Sequence, residues 1–405
     1  MSDKKYKIII IAYDLNPKLG SEAGCADLWV KIISKHYFVE VFTDEVHMTD
    51  ILEENYENVH FHFIKMSDFM SRVSKKLKIL NMEFRIFFNK VKPQIKKRIG
   101  EESFHLIHCL TPFGIYSYND YYKFKLPVIV GPLGGGLRFP PGFRKIFKKN
   151  IVRNTARNLY YDFITRRKRW KQYFYGARKI IIGTPYLKVL LPKKCHSKTH
   201  IVYDVIVDPY KFNLVKKEDR NEIVITYVGR MITSKGSEIL LESFRLICDK
   251  YKNLKLFFVG DGPLLPVLKK KAKTWHLDDK VIFFGKIPIE KVYEKLSQSD
   301  IFCLPTLREP GGGSILEAMA CELPIITTNY GGPAYSVTDK CGIKISPVNY
   351  EDYVDKLAQA LSHLIDNKEG RVRMGINGRQ RIIEEFSPQA AEKKILEIYR
   401  DAARE

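Results

Sequence analysis

Residues 300–320 read DIFCLPTLREPGGGSILEAMA, and the fold turns on how that stretch is parsed. The run IFCLP has the length and apolar character of a buried strand, and SILEAMA is rich in helix formers. Between them stand Gly311, Gly312 and Gly313. Three glycines in a row are costly to order, because each gives up more backbone freedom on folding than any other residue. Backbone therefore has to approach something closely at this point. Two carboxylates, Glu309 and Glu317, flank the glycines. One reading is local: Ser314 and Glu317 stand at the Ser-x-x-Glu spacing of a capping box, in which Glu317 satisfies its own helix terminus. The other is functional: bare amides ahead of a helix cradle an anion. Glu309 and Glu317, as pure acceptors, then take hydrogen bonds from sugar or ribose hydroxyls.

Strand, loop, helix recurs in both directions from there. YKIIIIAY, FVEVFTD, VHFHFI, LIHCLT, PVIVGPL, KIIIGT and THIVYDVIV are strand candidates by length and β-branched content. Beyond residue 221 the candidates are EIVITYVG, LKLFFVG, VIFFG, IFCLP, PIITTN and CGIKIS. Helical patterns lie between them, at 25–34, 70–97, 238–250, 263–274, 291–297 and 315–321. This alternation predicts an α/β protein with two parallel sheets covered by helices. A length of 405 residues exceeds what one core sustains, so two domains are expected. The polar stretch DPYKFNLVKKEDRNE marks the hinge, dividing the chain into 1–208 and 209–386. Ser387 and Pro388 then restart a helix over 387–405 that reaches back to the first domain, with proline in its usual first-turn place.

In such sheets ligands sit beyond the carboxyl ends of the strands, where loops feed helix N-termini. After the first strand, DLNPKLGSEAG has no G-x-G-x-x-G pattern, which argues against a dinucleotide site. Gly20, beside Ser21, offers either a plain capped loop or an amide-lined approach to a phosphate. After EIVITYV come Arg230 and Lys235, both between a strand end and a helix. Lys and Arg make up 68 of the 405 residues, so position rather than charge singles these two out. A guanidinium fork and a compact ammonium suit a diphosphate. His108, alone at a strand end, reads by itself as a satisfied core histidine.

The formal net charge is +22, and it is concentrated. Segments 67–100 and 142–172 carry ten and eleven Lys/Arg against two acids and one, interleaved with aromatics. Solvated helix faces, an acidic lipid surface and nucleic acid all fit that pattern. No apolar run approaches the ~18–20 residues of a membrane-spanning helix. The N-terminal Ile run reads as a first strand and not a signal peptide. Seven dispersed cysteines without zinc-like spacing suit reduced thiols in a cytoplasmic protein.

The order GR…SKG, GDGP, LP…E-PGGG-LEAMA-ELP, NYGGP, with Glu309 and Glu317 as an E-x7-E pair, resembles the retaining, nucleotide-sugar-dependent glycosyltransferases of family 4. The match is ordered over 224–333 and looser before it, where GSEAG, LIHCLTP and PVIVGPLGGG resemble further family loops. The chain departs from the family's usual hinge by keeping only Val207 and Asp208 of it. The resemblance implies the GT-B fold, two Rossmann-like doubly wound domains facing across a cleft. It implies Arg230 and Lys235 on the donor diphosphate, Glu317 on the ribose, and Glu309 on the sugar hydroxyls. Gly20, Gly311, Gly312, Gly313 and Ser314 would line the donor site, with His108 beneath the transferred sugar. Catalysis would rest on Glu309, His108, Arg230 and Lys235.

The expected reaction moves a hexose-type sugar from a UDP- or GDP-sugar to a saccharide acceptor, lipid-linked, in cell-surface polysaccharide or glycolipid synthesis. No Asp-x-Asp occurs, so neither a metal nor a cofactor is expected, and fixed cations replace the metal clamp. The two basic segments would hold the enzyme peripherally on the anionic cytoplasmic face of the membrane, with no nucleic acid as partner. Rival readings are another GT-B enzyme, such as a nucleotide-sugar epimerase or glucan synthase, and a non-catalytic polyanion-binding protein.

Overall fold

The computed structural model describes residues 6–19, 21–66, 82–143, 146, 151–212 and 221–404. The chain forms two units. The first comprises Met1–Gly136, Val152–Ile206 and Pro388–Glu405, and the second Leu137–Ile151 and Val207–Ser387.

The first unit is a seven-stranded parallel sheet in the order β3-β2-β1-β4-β5-β6-β7. Its strands are β1 (Lys7–Ala12), β2 (Phe38–Asp44), β3 (Val59–Ile64), β4 (Leu106–Thr111), β5 (Val128–Leu133), β6 (Lys179–Ile182) and β7 (Thr199–Ile201). The central strands are buried along their length, as expected of a parallel sheet covered on both faces. All seven predicted strands are present, but the last is short. Its partner β6 ends at Ile182, so after Val202 donates to the Ile182 carbonyl the chain has no edge left to pair with.

The second unit is a six-stranded parallel sheet in the order β10-β9-β8-β11-β12-β13. These are β8 (Ile223–Val228), β9 (Leu254–Val259), β10 (Val281–Gly285), β11 (Ile301–Leu304), β12 (Ile325–Thr328) and β13 (Gly342–Ile345). In each sheet the strand order reverses beside the first strand, between β1 and β4 and between β8 and β11. Those reversals open the crevices at which doubly wound sheets hold ligands.

Residues 137–143 join the second unit, although the sequence reading runs the first domain unbroken to 208. Phe143 is fully buried, with its ring edge-on to Tyr353 at 5.7 Å. The space at Gly142 is closed by the Val348 carbonyl, which a Cβ would meet at 1.6 Å. Contacts made far along the chain thus decide the affiliation. The basic segments are helical where described, as Met82–Glu101, Ile151–Arg166 and Lys168–Gly176. The remainder of the predicted 70–97 helix and of segments 67–100 and 142–172, at 67–81, 144–145 and 147–150, lies outside the described residues.

The helix Pro388–Arg404 supplies a stripe to the first unit's core: Ala391, Ile395, Ile398, Tyr399 and Ala402 pack with Ile8, Ile10, Trp29 and Tyr37. Their spacing is that of one helix face. Tyr399 also reaches His108 on β4, its hydroxyl 2.5 Å from Nδ1. The other ring nitrogen, Nε2, lies 2.6 Å from the Gly131 carbonyl. A carbonyl only accepts, so Nε2 carries the proton and Nδ1 accepts from the tyrosine. Burial lowers the imidazole to about 4, against the opposing pull of the Gly131 carbonyl. Between the ordinary imidazole range and about 4, only the unfolded chain takes up the proton. The stabilisation is therefore intact above pH ~6.5 and lost progressively as pH falls towards about 4. Thermal midpoints recorded across that window should fall, and His108→Gln should flatten the fall. Parallel profiles for the two proteins would contradict a buried neutral imidazole.

Candidate functional site

The site is built where β8 and β11 lie side by side, Ile225 opposite Ile301 and Thr226 opposite Phe302. Each strand runs into a loop and then a helix. The β8 loop makes a short 3-10 turn, Thr233–Lys235, before the helix Ser237–Ile247. Gly236 joins the two at φ 72°, and a Cβ there would lie 2.1 Å from the Pro305 carbonyl oxygen. Only glycine admits both that backbone and that approach. The loops are stapled further by the Ser234 carbonyl, which accepts from the Thr306 hydroxyl and the Leu307 amide, each at 2.9 Å.

This fixes Lys235 against Glu309. The Lys235 ammonium pairs with Oε2 of Glu309, while Oε1 accepts from the Gly312 amide at 3.2 Å. Glu309 is only 9% exposed, so its charge needs both partners. Gly312 adopts φ 91° and is the N-cap of the helix Gly313–Ala320. The capping-box expectation is thereby corrected. The cap position falls on Gly312, two residues before Ser314, and no side chain caps the helix. Ser314 lies within the first turn, ahead of the Ile315 and Leu316 amides, which donate to the Gly312 carbonyl. Glu317 stands one turn on, and burial pushes its carboxyl above the ordinary range. Tyr293 is close enough to feel it: burial, then the Glu317 charge, raises that phenol to about 12.

Arg230 is exposed at the end of β8. The nearby Tyr227 hydroxyl donates to the Arg230 carbonyl at 2.9 Å. Burial raises the Tyr227 phenol, the Glu309 charge adds to this, and the Arg230 guanidinium opposes it. Tyr227 was not singled out from sequence, since a tyrosine inside a β-rich run signals only core. A second element also escaped notice. The Gly331–Gly332 turn after β12 packs on the Glu309 loop, the Gly332 amide donating to the Glu309 carbonyl at 2.9 Å. The motif NYGGP was visible, but its role was not. Residues 137–143 add Phe139, whose ring lies 4.5 Å from the Arg308 guanidinium, and Arg138, whose carbonyl accepts from the Tyr330 hydroxyl.

Lys235, Glu309, Gly311, Gly312, Gly313, Ser314 and Glu317 thus occupy one loop-and-helix corner of the second unit, with Arg230 at the end of the adjoining strand. His108 belongs to the first unit, fully buried with both ring nitrogens engaged. That is the setting of a structural histidine, and a ring so enclosed does not present itself to a sugar. Gly20 lies outside the described residues.

The architecture is that of the GT-B fold. Sucrose-phosphate synthase from Thermosynechococcus elongatus superposes with a TM-score of 0.67 at 18% identity, covering 98% of each chain. Anabaena HepE in complex with UDP superposes with a TM-score of 0.62 at 15% identity, over 96% of this chain and 98% of that one. Residues 210–381, which include the whole Lys235–Glu309 corner, match the family described as glycosyl transferases group 1. Among curated relatives, the GPI3 subunit of phosphatidylinositol N-acetylglucosaminyltransferase from Saccharomyces cerevisiae is 29% identical over 147 residues. The alignment takes in 36% of this chain and spans 32% of that relative's length.

Lys235→Ala strands Glu309 in a largely buried position and should cost about 1–3 kcal/mol of stability. Adding Glu309→Gln in the same chain should recover most of that loss in urea melts. A deficit unchanged by the second substitution would show that the two side chains are not paired.

Proposed function

We propose that the protein is a retaining glycosyltransferase that moves a hexose-type sugar from a UDP- or GDP-sugar to a saccharide acceptor. The observation that carries this reading is the Lys235–Glu309 pair, set against the Gly312 amide at a helix N-cap beside the strand-order reversal. A cation held by a carboxylate at a helix N-terminus is a diphosphate site with its anion place taken by the protein's own acid. On donor binding Lys235 turns to the diphosphate, and Glu309 is left to accept from the sugar hydroxyls. Arg230 adds a second positive charge at the departing phosphate, and Glu317 accepts from the ribose. The 15%-identical HepE structure holds UDP, which agrees with a nucleotide donor on this fold.

The chemistry needs charge stabilisation above all. As the bond from the anomeric carbon to the diphosphate oxygen breaks, negative charge gathers on the leaving group and positive character on the sugar. Fixed cations and amides aimed at that oxygen lower the barrier without reorganising. The acceptor oxygen bonds to the same face of the anomeric carbon, and its proton passes to the departing phosphate. Configuration is retained, and the two cations do the work of a metal clamp. His108 takes no part.

The acceptor is lipid-linked and the enzyme sits peripherally on the cytoplasmic membrane face, serving cell-surface polysaccharide or glycolipid synthesis. The helix Ile151–Arg166 leaves Leu159 and Phe163 exposed and is followed by the basic run 166–169, an apolar and cationic surface suited to anionic headgroups. Among the described residues no helix is long and apolar enough to cross a membrane. The 29%-identical relative is named for a phosphatidylinositol acceptor, which agrees with this reading.

In a thermal-shift screen, one UDP- or GDP-sugar should raise the midpoint through preferential binding to folded protein. Nuclear magnetic resonance of the product should then show the donor's anomeric configuration. A flat screen removes the donor assignment, and an inverted product removes the retaining mechanism. Sedimentation with anionic liposomes should weaken as salt is raised; equal binding to neutral vesicles would count against membrane docking.

A further inference from the structure

The first unit contains a cavity of about 270 Å³ beside the loop that follows β4. It is lined by residues of the helices Met82–Glu101 and Ile151–Arg166, by Arg167, and by Tyr116, Ser117 and Tyr118. It therefore lies against the loop leaving the carboxyl end of β4, one of the two strands at which the order reverses, on the ligand-bearing edge of this sheet. Phe84, Phe88, Tyr116 and Tyr160 give it aromatic walls. Tyr116 is braced from behind by Tyr161, stacked at 3.7 Å. Two guanidinium groups, Arg85 and Arg167, also line it, while none of its described lining residues is acidic. Both arginines act electrostatically on the Tyr160 phenol, so their positive fields converge at one point on the wall.

A third feature extends the cavity outwards. Phe163 belongs to its lining yet is 55% exposed, with the Arg167 guanidinium 4.6 Å from its ring. Leu159, one turn earlier on the same helix face, is 65% exposed. Two large apolar side chains in water beside an aromatic cavity continue its apolar surface to the outside. Paired guanidinium forks favour phosphate, and aromatic walls leading to an apolar rim favour a hydrocarbon chain.

We propose that this cavity binds the phosphate end of a lipid phosphate, the acceptor's carrier, with Arg85 and Arg167 on the phosphate and the Phe84, Phe88 and Phe163 surface on the chain. The assignment rests on the glycosyltransferase reading for the word acceptor, but the binding itself does not. Arg85 and Arg167 are exposed, so their replacement leaves the core untouched.

The full chain is titrated calorimetrically with farnesyl phosphate below its micelle concentration, with farnesol and with inorganic phosphate. UDP and GDP are titrated in parallel. Farnesyl phosphate should bind at least tenfold more tightly than either fragment. Arg85→Ala and Arg167→Ala should each weaken it at least fivefold without altering nucleotide affinity. Equal affinity for farnesol and farnesyl phosphate would overturn the proposal, as would indifference to both substitutions. Loss confined to phosphatidylglycerol vesicles, with farnesyl phosphate unaffected, would leave these arginines as membrane contacts only and also overturn it. Arginine-dependent binding of farnesyl phosphate without any nucleotide binding would sink the glycosyltransferase reading and leave the lipid-phosphate site standing.

Discussion

A carboxylate withdrawn from water must find a cation and a hydrogen-bond donor, or it forces the local structure apart. Glu309 is such a group, and the architecture of the second unit can be read as the means of supplying both. The adjacency of β8 and β11 brings two loops together, and the Ser234 carbonyl staples them. Gly236 lets the first loop press on Pro305, and Gly312 turns the second so that its amide faces back to Glu309. Lys235 completes the set. In this corner the Lys235 and Glu309 charges offset one another. On the proposed reading, a diphosphate that draws Lys235 away leaves Glu309 to accept from a sugar.

In the first unit, two buried polar groups on and near β4 are tied down by fixed partners. His108 is locked between Tyr399 and the Gly131 carbonyl, so the last helix of the chain is tethered by a hydrogen bond as well as by its apolar stripe. Glu22, pushed up to about 7 by burial, accepts from the Phe113 amide at 2.6 Å. Such groups hold loops in place.

The strands were legible because parallel strands buried on both faces read as continuous β-branched runs, of which KIIIIA and KIII are clear cases. Lys235 and Glu309 were legible because strand-to-helix loops are where such sheets place ligands. What escaped the sequence depended on contacts between distant residues. Ser314 at capping-box spacing gave no hint that the helix begins on Gly312. Nothing in residues 137–143 announces that Phe143 packs beside Tyr353. The resemblance raised His108 to a catalytic candidate, whereas its partner Tyr399 lies 291 residues further along the chain. Tyr227 became visible only when the charges of Glu309 and Arg230 were seen to converge on it.

The central claim is that Lys235 exchanges Glu309 for a diphosphate. The most direct measurement is the affinity of UDP and GDP, by calorimetry, for the unmodified chain and for its Lys235→Ala and Glu309→Gln forms. The claim predicts that one nucleotide binds Lys235→Ala at least tenfold more weakly, and binds Glu309→Gln at least as tightly as the parent because the lysine starts out released. Equal affinity for all three proteins would contradict it.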